Sequence, residues 1–392
     1  MLTSIAVILL LGLLMSRIFM KLKLPGLLGM IIVGIIISPH ALNLIDESIL
    51  NISSELRQIA LVIILTRAGL SLDINDLKKV GRPALLMCFL PACVEMAGTI
   101  LFAPKLLGVT VLEAAVIGSV IAAVSPAVVV PRMIRLMEEK YGTGQGIPQL
   151  ILAGASVDDV FVIVVFTALT SLASLGTVSA MSFVQIPVSI VSGIILGVAV
   201  GSILTVFFKK VHMRDSVKIL ILLSISFLLL EVQNRLEGIV PISGLLAIMS
   251  MGIAVRQRYG VLASRLSVKY NKLWLGAEVF LFVLVGATVD LRYVTKAGIA
   301  AVLLILIALL FRMIGVALSL IRTGLSKGER LFCMLAYTPK ATVQAAIGAI
   351  PLSMGLACGN LVLTVAVLSI LITAPFGAIC VDRLYQRLLK KE

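Results

Sequence analysis

Residues 150–169 read LILAGASVDDVFVIVVFTAL, with Asp158 and Asp159 side by side inside an apolar run over about 148–172. A carboxylate at the middle of a bilayer-spanning helix is unfavourable by roughly 2.5 to 3.5 kcal/mol. Two adjacent ones, with no charged neighbour within several residues, need a task that outweighs that cost. If the run lies in a membrane, the pair marks a functional site.

The rest of the chain decides for the membrane. Of 392 residues, 60% are hydrophobic and only 13% charged, more apolar surface than a water-soluble domain of this length can hide in a core. Apolar segments long enough to cross about 30 Å of hydrocarbon recur with centres near residues 10, 32, 64, 93, 121, 160, 195, 225, 247, 281, 309, 341 and 370. The expected fold is an all-α integral membrane protein with thirteen transmembrane helices.

Lys and Arg give the direction. With the N-terminus outside, the inside loops around 17–23, 78–82, 132–140, 209–218, 256–272 and 322–330, together with the tail from 383, hold 25 of the 33 cations. The outside loops hold five: Arg57, Lys105, Arg235, Arg292 and Lys296. This predicts a multi-pass cell-membrane protein with a cytoplasmic C-terminus. It also accounts for the net charge of +14 as a collar at the cytoplasmic lipid leaflet, without nucleic acid as a partner. Residues 2–15, LTSIAVILLLGLLM, carry their cations after rather than before the apolar stretch and show no small-residue cleavage site, so they read as a retained helix rather than a signal peptide. Cys88, Cys93, Cys333, Cys358 and Cys380 lie in apolar spans with no metal spacing and read as small buried hydrophobes. His40 and His212 sit in loops. No nucleotide loop, metal cluster or nucleophile constellation is visible, so neither an enzyme nor a resident cofactor is expected.

Three cations remain. Arg67 lies toward the end of the third span and can snorkel to water. Arg312, in LLILIALLFRMIGVALSLI, and Lys340, in CMLAYTPKATVQAAIGAI, lie deeper and need partners. Glu231 and Glu278 fall near helix ends, which leaves Glu95, Asp158 and Asp159 to face them. Spacing alone does not assign the pairs.

An internal repeat brings these charges into register. TRAGLSLDINDLKK matches LVGATVDLRYVTK, aligning Gly69 and Asp73 with Gly286 and Asp290. In both halves a charge follows 22 residues after the aspartate, Glu95 in one and Arg312 in the other. Pro25 answers Pro241, and VSPAVVVP around Pro126 answers YTPKATVQ around Pro339. Seven helices, an odd number, separate matching elements, so the copies would cross the membrane in opposite directions. Pro126 beside Ser125 and Pro339 beside Thr338 interrupt the fifth and twelfth spans, and proline removes a helix bond and clashes with the preceding turn. Both spans are expected to unwind at mid-membrane and cross there, since unwound backbone at that depth must be buried in protein or line a cavity.

AAVSPAVVVPRMIRL, GIPQLILAGASVDDVFVI and YTPKATVQAAIGAIPL resemble the signature segments of the NHA (sodium/proton antiporter) branch of the monovalent cation:proton antiporter-2 family, over nearly the whole chain from about Pro25 to Pro375. The resemblance implies a homodimer in which a mobile core moves like an elevator. Residues 1–82 would be mainly scaffold and dimerisation helices, 83–175 the first core helices, 176–296 a linker helix and second scaffold, and 297–392 the remaining core helices and tail. It implies that Asp159 binds the ion directly, that Asp158 pairs with Arg312, and that Glu95 pairs with Lys340. Many relatives carry Lys where this chain has Arg312. Lys can lose its proton when buried, whereas Arg does not, so electroneutral exchange is expected.

A desolvated carboxylate near pH 7 can hold a proton or a small alkali cation, but not both. Oxygens of Ser156 and of Ser125 in the unwound backbone complete a set of hard donors suited to Na⁺ or Li⁺ as transported ion. The rival readings are a K⁺/H⁺ exchanger, a sodium-coupled organic solute symporter of related fold, an ion channel and an intramembrane aspartyl protease. Channels usually build a pore from symmetric subunits, and a protease needs its aspartates on separate helices, whereas adjacent ones project about 100° apart from one.

Overall fold

The computed structural model describes residues 1–72, 81–174, 180–236, 240, 242–289 and 291–391. Asp73, Pro241 and Asp290 of the expected repeat lie outside the described residues, as do the side chains of Ser156, 174–187 and 291–297. The named elements are all helices: α1 Leu2–Lys21, α2 Gly26–Ile37, α3 Glu47–Asn51, α4 Ser53–Ser71, α5 Gly81–Met87, α6 Leu90–Leu107, α7 Val111–Ile121, α8 Pro126–Glu138, α9 Ile147–Ser174, α10 Ala180–Lys210, α11 Asp215–Arg235, α12 Gly244–Arg258, α13 Gly260–Ala287, α14 Leu291–Ser319, α15 Lys327–Ala336, α16 Thr342–Ile347, α17 Ile350–Ser353 and α18 Gly359–Leu388. Among the described residues, eight helical stretches are long and apolar enough to cross a membrane, and two shorter apolar helices, Gly26–Ile37 and Thr342–Ser353, accompany them. Outside that set, α4 and α11 carry charges near their ends, such as Glu55 and Arg67, or Asp215 and Arg235. The chain is therefore a multi-pass helical membrane protein.

The helices form two compact units. Residues 55–75 and 170–278 make one. There α10 packs along α12: a Cβ on Gly193 would sit 2.5 Å from the Ser243 carbonyl oxygen, and one on Gly201 2.5 Å from that of Met251. Small residues two turns apart on one helix face let two backbones approach where lipid supplies no hydrophobic drive for association. Gly69 of α4 meets Gly252 of α12 at a similar close crossing.

Residues 1–54, 76–169 and 279–392 make the other unit. Here Gly34 of α2 meets Gly286 of α13, a second glycine–glycine crossing built like the first. Two spans of this unit are interrupted. The first begins at α7 with a capping box, in which Thr110 Oγ1 accepts from the Glu113 N–H while Glu113 accepts from the Thr110 N–H. The helix stops after Ile121, and α8 resumes at Pro126. The second begins at α15 with the equivalent box of Ser326 and Glu329, stops after Ala336 and resumes at Thr342. A capping box satisfies orphan N–H groups at a helix start. Pro126 sits at the first position of α8, where its missing N–H costs nothing.

In the same unit, α8 is tied to α18. Arg132 reaches Asp382 through Nε at 3.2 Å and NH2 at 3.1 Å, and Arg135 NH2 lies 3.2 Å from the same carboxylate.

Candidate functional site

The two interruptions lie against each other. The Ser125 N–H donates to the Pro339 carbonyl at 2.7 Å, and the hydroxyls of Ser125 and Thr342 stand 3.5 Å apart. Breaking a helix orphans the last carbonyls of one half and the first N–H groups of the next. From the last residue of α7 into the break, side chains take up three successive carbonyls: Lys340 donates to Ile121, Arg312 to Ala122, and Gln344 Nε2 to Ala123 at 2.9 Å. The Val124 N–H donates to Asp158 Oδ2 at 2.8 Å. Two positive charges thus stand at the negative pole of α7, where a helix dipole favours them.

Arg312 organises the surroundings. It is carried on α14, which packs on α6, and the close approach depends on two glycines, each one turn beyond a buried charge. A Cβ on Gly98 would lie 2.5 Å from the Phe311 ring, and one on Gly315 2.6 Å from Pro91 Cα. Glu95 and Arg312 therefore face each other across the crossing, with Arg312 NH1 donating to Glu95 Oε2 at 2.9 Å. Its NH2 donates to Asp158 Oδ2 at 2.8 Å and its Nε to the Tyr337 carbonyl at 2.6 Å. The guanidinium also lies over the Tyr337 ring, 5.1 Å from the centroid. A planar fork with five donors can serve four acceptors at once, which an ammonium cannot. On the other side, Glu95 Oε1 pairs with Lys340 Nζ at 2.6 Å.

Glu95, Asp158, Arg312 and Lys340 are each 0% exposed. Two negative and two positive charges cancel within this chain of contacts, the condition under which burial of ions is tolerated. Asp159, on the same helix as Asp158, enters none of these ion pairs among the described residues. Its Oδ1 is buried and has no hydrogen-bond partner among the described residues, and the same holds for Asp158 Oδ1.

Of the residues singled out by sequence, the structure gathers Ser125, Pro339, Lys340, Arg312, Glu95 and Asp158 into one bonded cluster. Thr338 turns away from it, its hydroxyl capping the Leu335 carbonyl at 2.8 Å. Pro126 opens α8 at its first position. The side chain of Ser156 lies outside the described residues. Sequence reasoning missed Gln344, Tyr337 and Thr373, whose hydroxyl accepts the Lys340 N–H at 2.9 Å. A polar side chain among Ala and Ile just beyond a predicted helix break was the available signal for Gln344. The five cysteines are free thiols, and among the described residues no group of His, Cys, Asp and Glu is placed to hold a metal ion.

Residues 5–386 match the family model described as sodium/hydrogen exchanger, transmembrane. The chain is 34% identical to sodium/hydrogen exchanger 9B2 of Homo sapiens over 383 residues, covering 94% of this chain and 70% of that protein. It is 33% identical to sodium/hydrogen exchanger 9B1 of Homo sapiens, covering 94% and 73%. These relatives are transporters by name, not enzymes. Among solved structures it is similar in fold to the sodium proton antiporter MjNhaP1 from Methanocaldococcus jannaschii, with a TM-score of 0.84, 22% identity and coverage of 98% and 97% of the two chains.

Proposed function

The chain belongs to the sodium/hydrogen exchanger family, and on that footing we propose that it exchanges Na⁺ or Li⁺ for H⁺ across the membrane, with cation and proton competing for Asp159. One observation carries this reading: among the described residues the buried ion network closes on itself without Asp159, whose buried Oδ1 has no hydrogen-bond partner. Something positive must neutralise that carboxylate before it can sit in an apolar interior. A proton does so by covalent attachment and an alkali cation by coordination, and the carboxylate cannot carry both. Obligatory exchange follows if the core crosses only when Asp159 is neutralised, since the bare charge bears the dehydration cost.

Asp158 in this scheme stays paired with Arg312 and contributes its free Oδ1. Ser125 and Ser156 add neutral oxygens. The thirteen-span topology with inverted repeats belongs to the same proposal. It is supported by matched elements in the two halves: the separation of 217 that relates Glu95 to Arg312 also relates Ser125 to Thr342, and the two capping boxes and two glycine crossings recur in the same order. Residues 83–169 and 297–392 of the proposed moving core lie within one compact unit, which also holds residues 1–54 and 279–296 of the proposed scaffold. An elevator-like motion, a homodimer and a cytoplasmic C-terminus complete the reading.

The test is purified protein in liposomes loaded with a pH dye. Adding Na⁺ or Li⁺ outside should drive proton efflux, K⁺ should drive less, and an imposed voltage should leave the rate unchanged if exchange is one for one. Sodium movement without counterflow of protons would remove the proposal.

A further inference from the structure

We infer that Gln344 is a positioning residue of the ion site, setting which oxygen of Asp158 is left open through the peptide that joins Ala123 to Val124. The inference rests on the proposed exchange at the aspartate pair and concerns a residue that does not touch it directly.

Gln344 lies in α16, just past the second break, and is 0% exposed. Its Nε2 donates to the Ala123 carbonyl at 2.9 Å. A backbone carbonyl can only accept, so the amide nitrogen must face Ala123 and Oε1 must point away. That oxygen is buried with no hydrogen-bond partner among the described residues. Leaving it so forfeits the solvation of an amide oxygen, a cost Met or Leu would not bear. The amide is therefore retained for its donor.

The donor acts on one edge of a peptide plane, and Asp158 is held by the other. In a trans peptide the C=O and N–H point in opposite directions. The N–H of the same peptide, that of Val124, donates to Asp158 Oδ2 at 2.8 Å. Arg312 NH2 donates to the same oxygen, also at 2.8 Å, and Oδ1 has no hydrogen-bond partner among the described residues. A hydrogen bond to the carbonyl polarises the amide and strengthens its N–H as a donor.

The plane has no helical ladder to hold it, because residues 122–125 lie between α7 and α8. Without Gln344 it can rotate, withdrawing the Val124 N–H from Oδ2 and freeing the carboxylate to turn about Arg312. The site would then lose preorganisation for the cation, while the exchange cycle itself remained possible. An affinity effect with turnover preserved is what separates positioning from general destabilisation.

The experiment measures sodium-driven proton flux in proteoliposomes for wild type, Gln344→Met and Gln344→Glu, with rates normalised to monodisperse protein. Met keeps the length and removes the donor; Glu keeps the shape and, when ionised at the alkaline end of the assay, sets an acceptor against the Ala123 carbonyl. The expected result is an apparent KM for Na⁺ raised about tenfold in Gln344→Met, the worth of one hydrogen bond acting on a charged group, and raised further in Gln344→Glu. Maximal rate should stay within about twofold of wild type. Unchanged KM in both variants, a fall in maximal rate alone, or failure of both to fold would overturn the inference. A wild type that moves no protons in response to Na⁺ defeats the exchange reading instead, whatever the variants do.

Discussion

Glu95 and Lys340 offer a quantitative test of the closed ion network. Their 2.6 Å contact corresponds to a Coulomb attraction of about 6 kcal/mol at an effective dielectric of about 20, most of it offset by desolvation. Removing one partner leaves the other charged and buried, which costs roughly 3 to 5 kcal/mol. Glu95→Gln strands Lys340 and also takes one carboxylate from Arg312, so it should fall at the upper end. Lys340→Met leaves Glu95 still paired with Arg312 at 2.9 Å and should fall at the lower end. The double variant keeps Asp158 with Arg312 and strands no ion, so it should lose only about 1 to 2 kcal/mol, mainly from repacking. Unfolding of the purified protein in detergent would give the cycle, with an expected coupling of about 3 kcal/mol or more in favour of the double variant. Losses that add to within about 0.5 kcal/mol would refute the reasoning and show that the two side chains do not balance each other.

Arg312→Lys keeps one positive charge but cannot reach Asp158, Glu95 and the Ala122 and Tyr337 carbonyls together; it should fold, yet shift the pH profile of exchange or the charge moved per cycle, both read in liposomes under imposed voltage. Gly315→Ala places a methyl group 2.6 Å from the backbone of Pro91 and should destabilise by more than about 2 kcal/mol, whereas Gly98→Ala, which meets the Phe311 side chain, should be largely recovered by adding Phe311→Leu; thermal melts of the three variants check this. Asp382→Asn removes the carboxylate shared by Arg132 and Arg135 and should cost about 1 kcal/mol, seen as a lowered thermal midpoint of the purified protein.

Much of the site was legible because a charge in an apolar run is costly and therefore rare. Glu95, Asp158, Arg312 and Lys340 each stood out on that ground, and Ser125, Pro126, Thr338 and Pro339 marked the breaks by the chemistry of proline. The pairing was not legible from spacing. Glu95 has two oxygens, and the structure gives one to Arg312 and the other to Lys340, an arrangement that a search for pairs does not contain. Gln344 carries no charge and so sent no comparable signal, although the buried carbonyls of the break had to find donors somewhere. Gly98 and Gly315 follow Glu95 and Arg312 by the same three residues, but small residues are common in membrane helices. Only the crossing shows what these two permit.

The central claim is that proton and cation exclude each other at Asp159. It is tested most directly by calorimetric titration of purified protein with Na⁺ near neutral pH, in buffers of different ionisation enthalpy. The account predicts that wild type releases protons as it binds the cation, and that Asp159→Asn, still folded, shows neither binding nor proton release. Sodium binding with no proton displaced, or undiminished binding to Asp159→Asn, would contradict it.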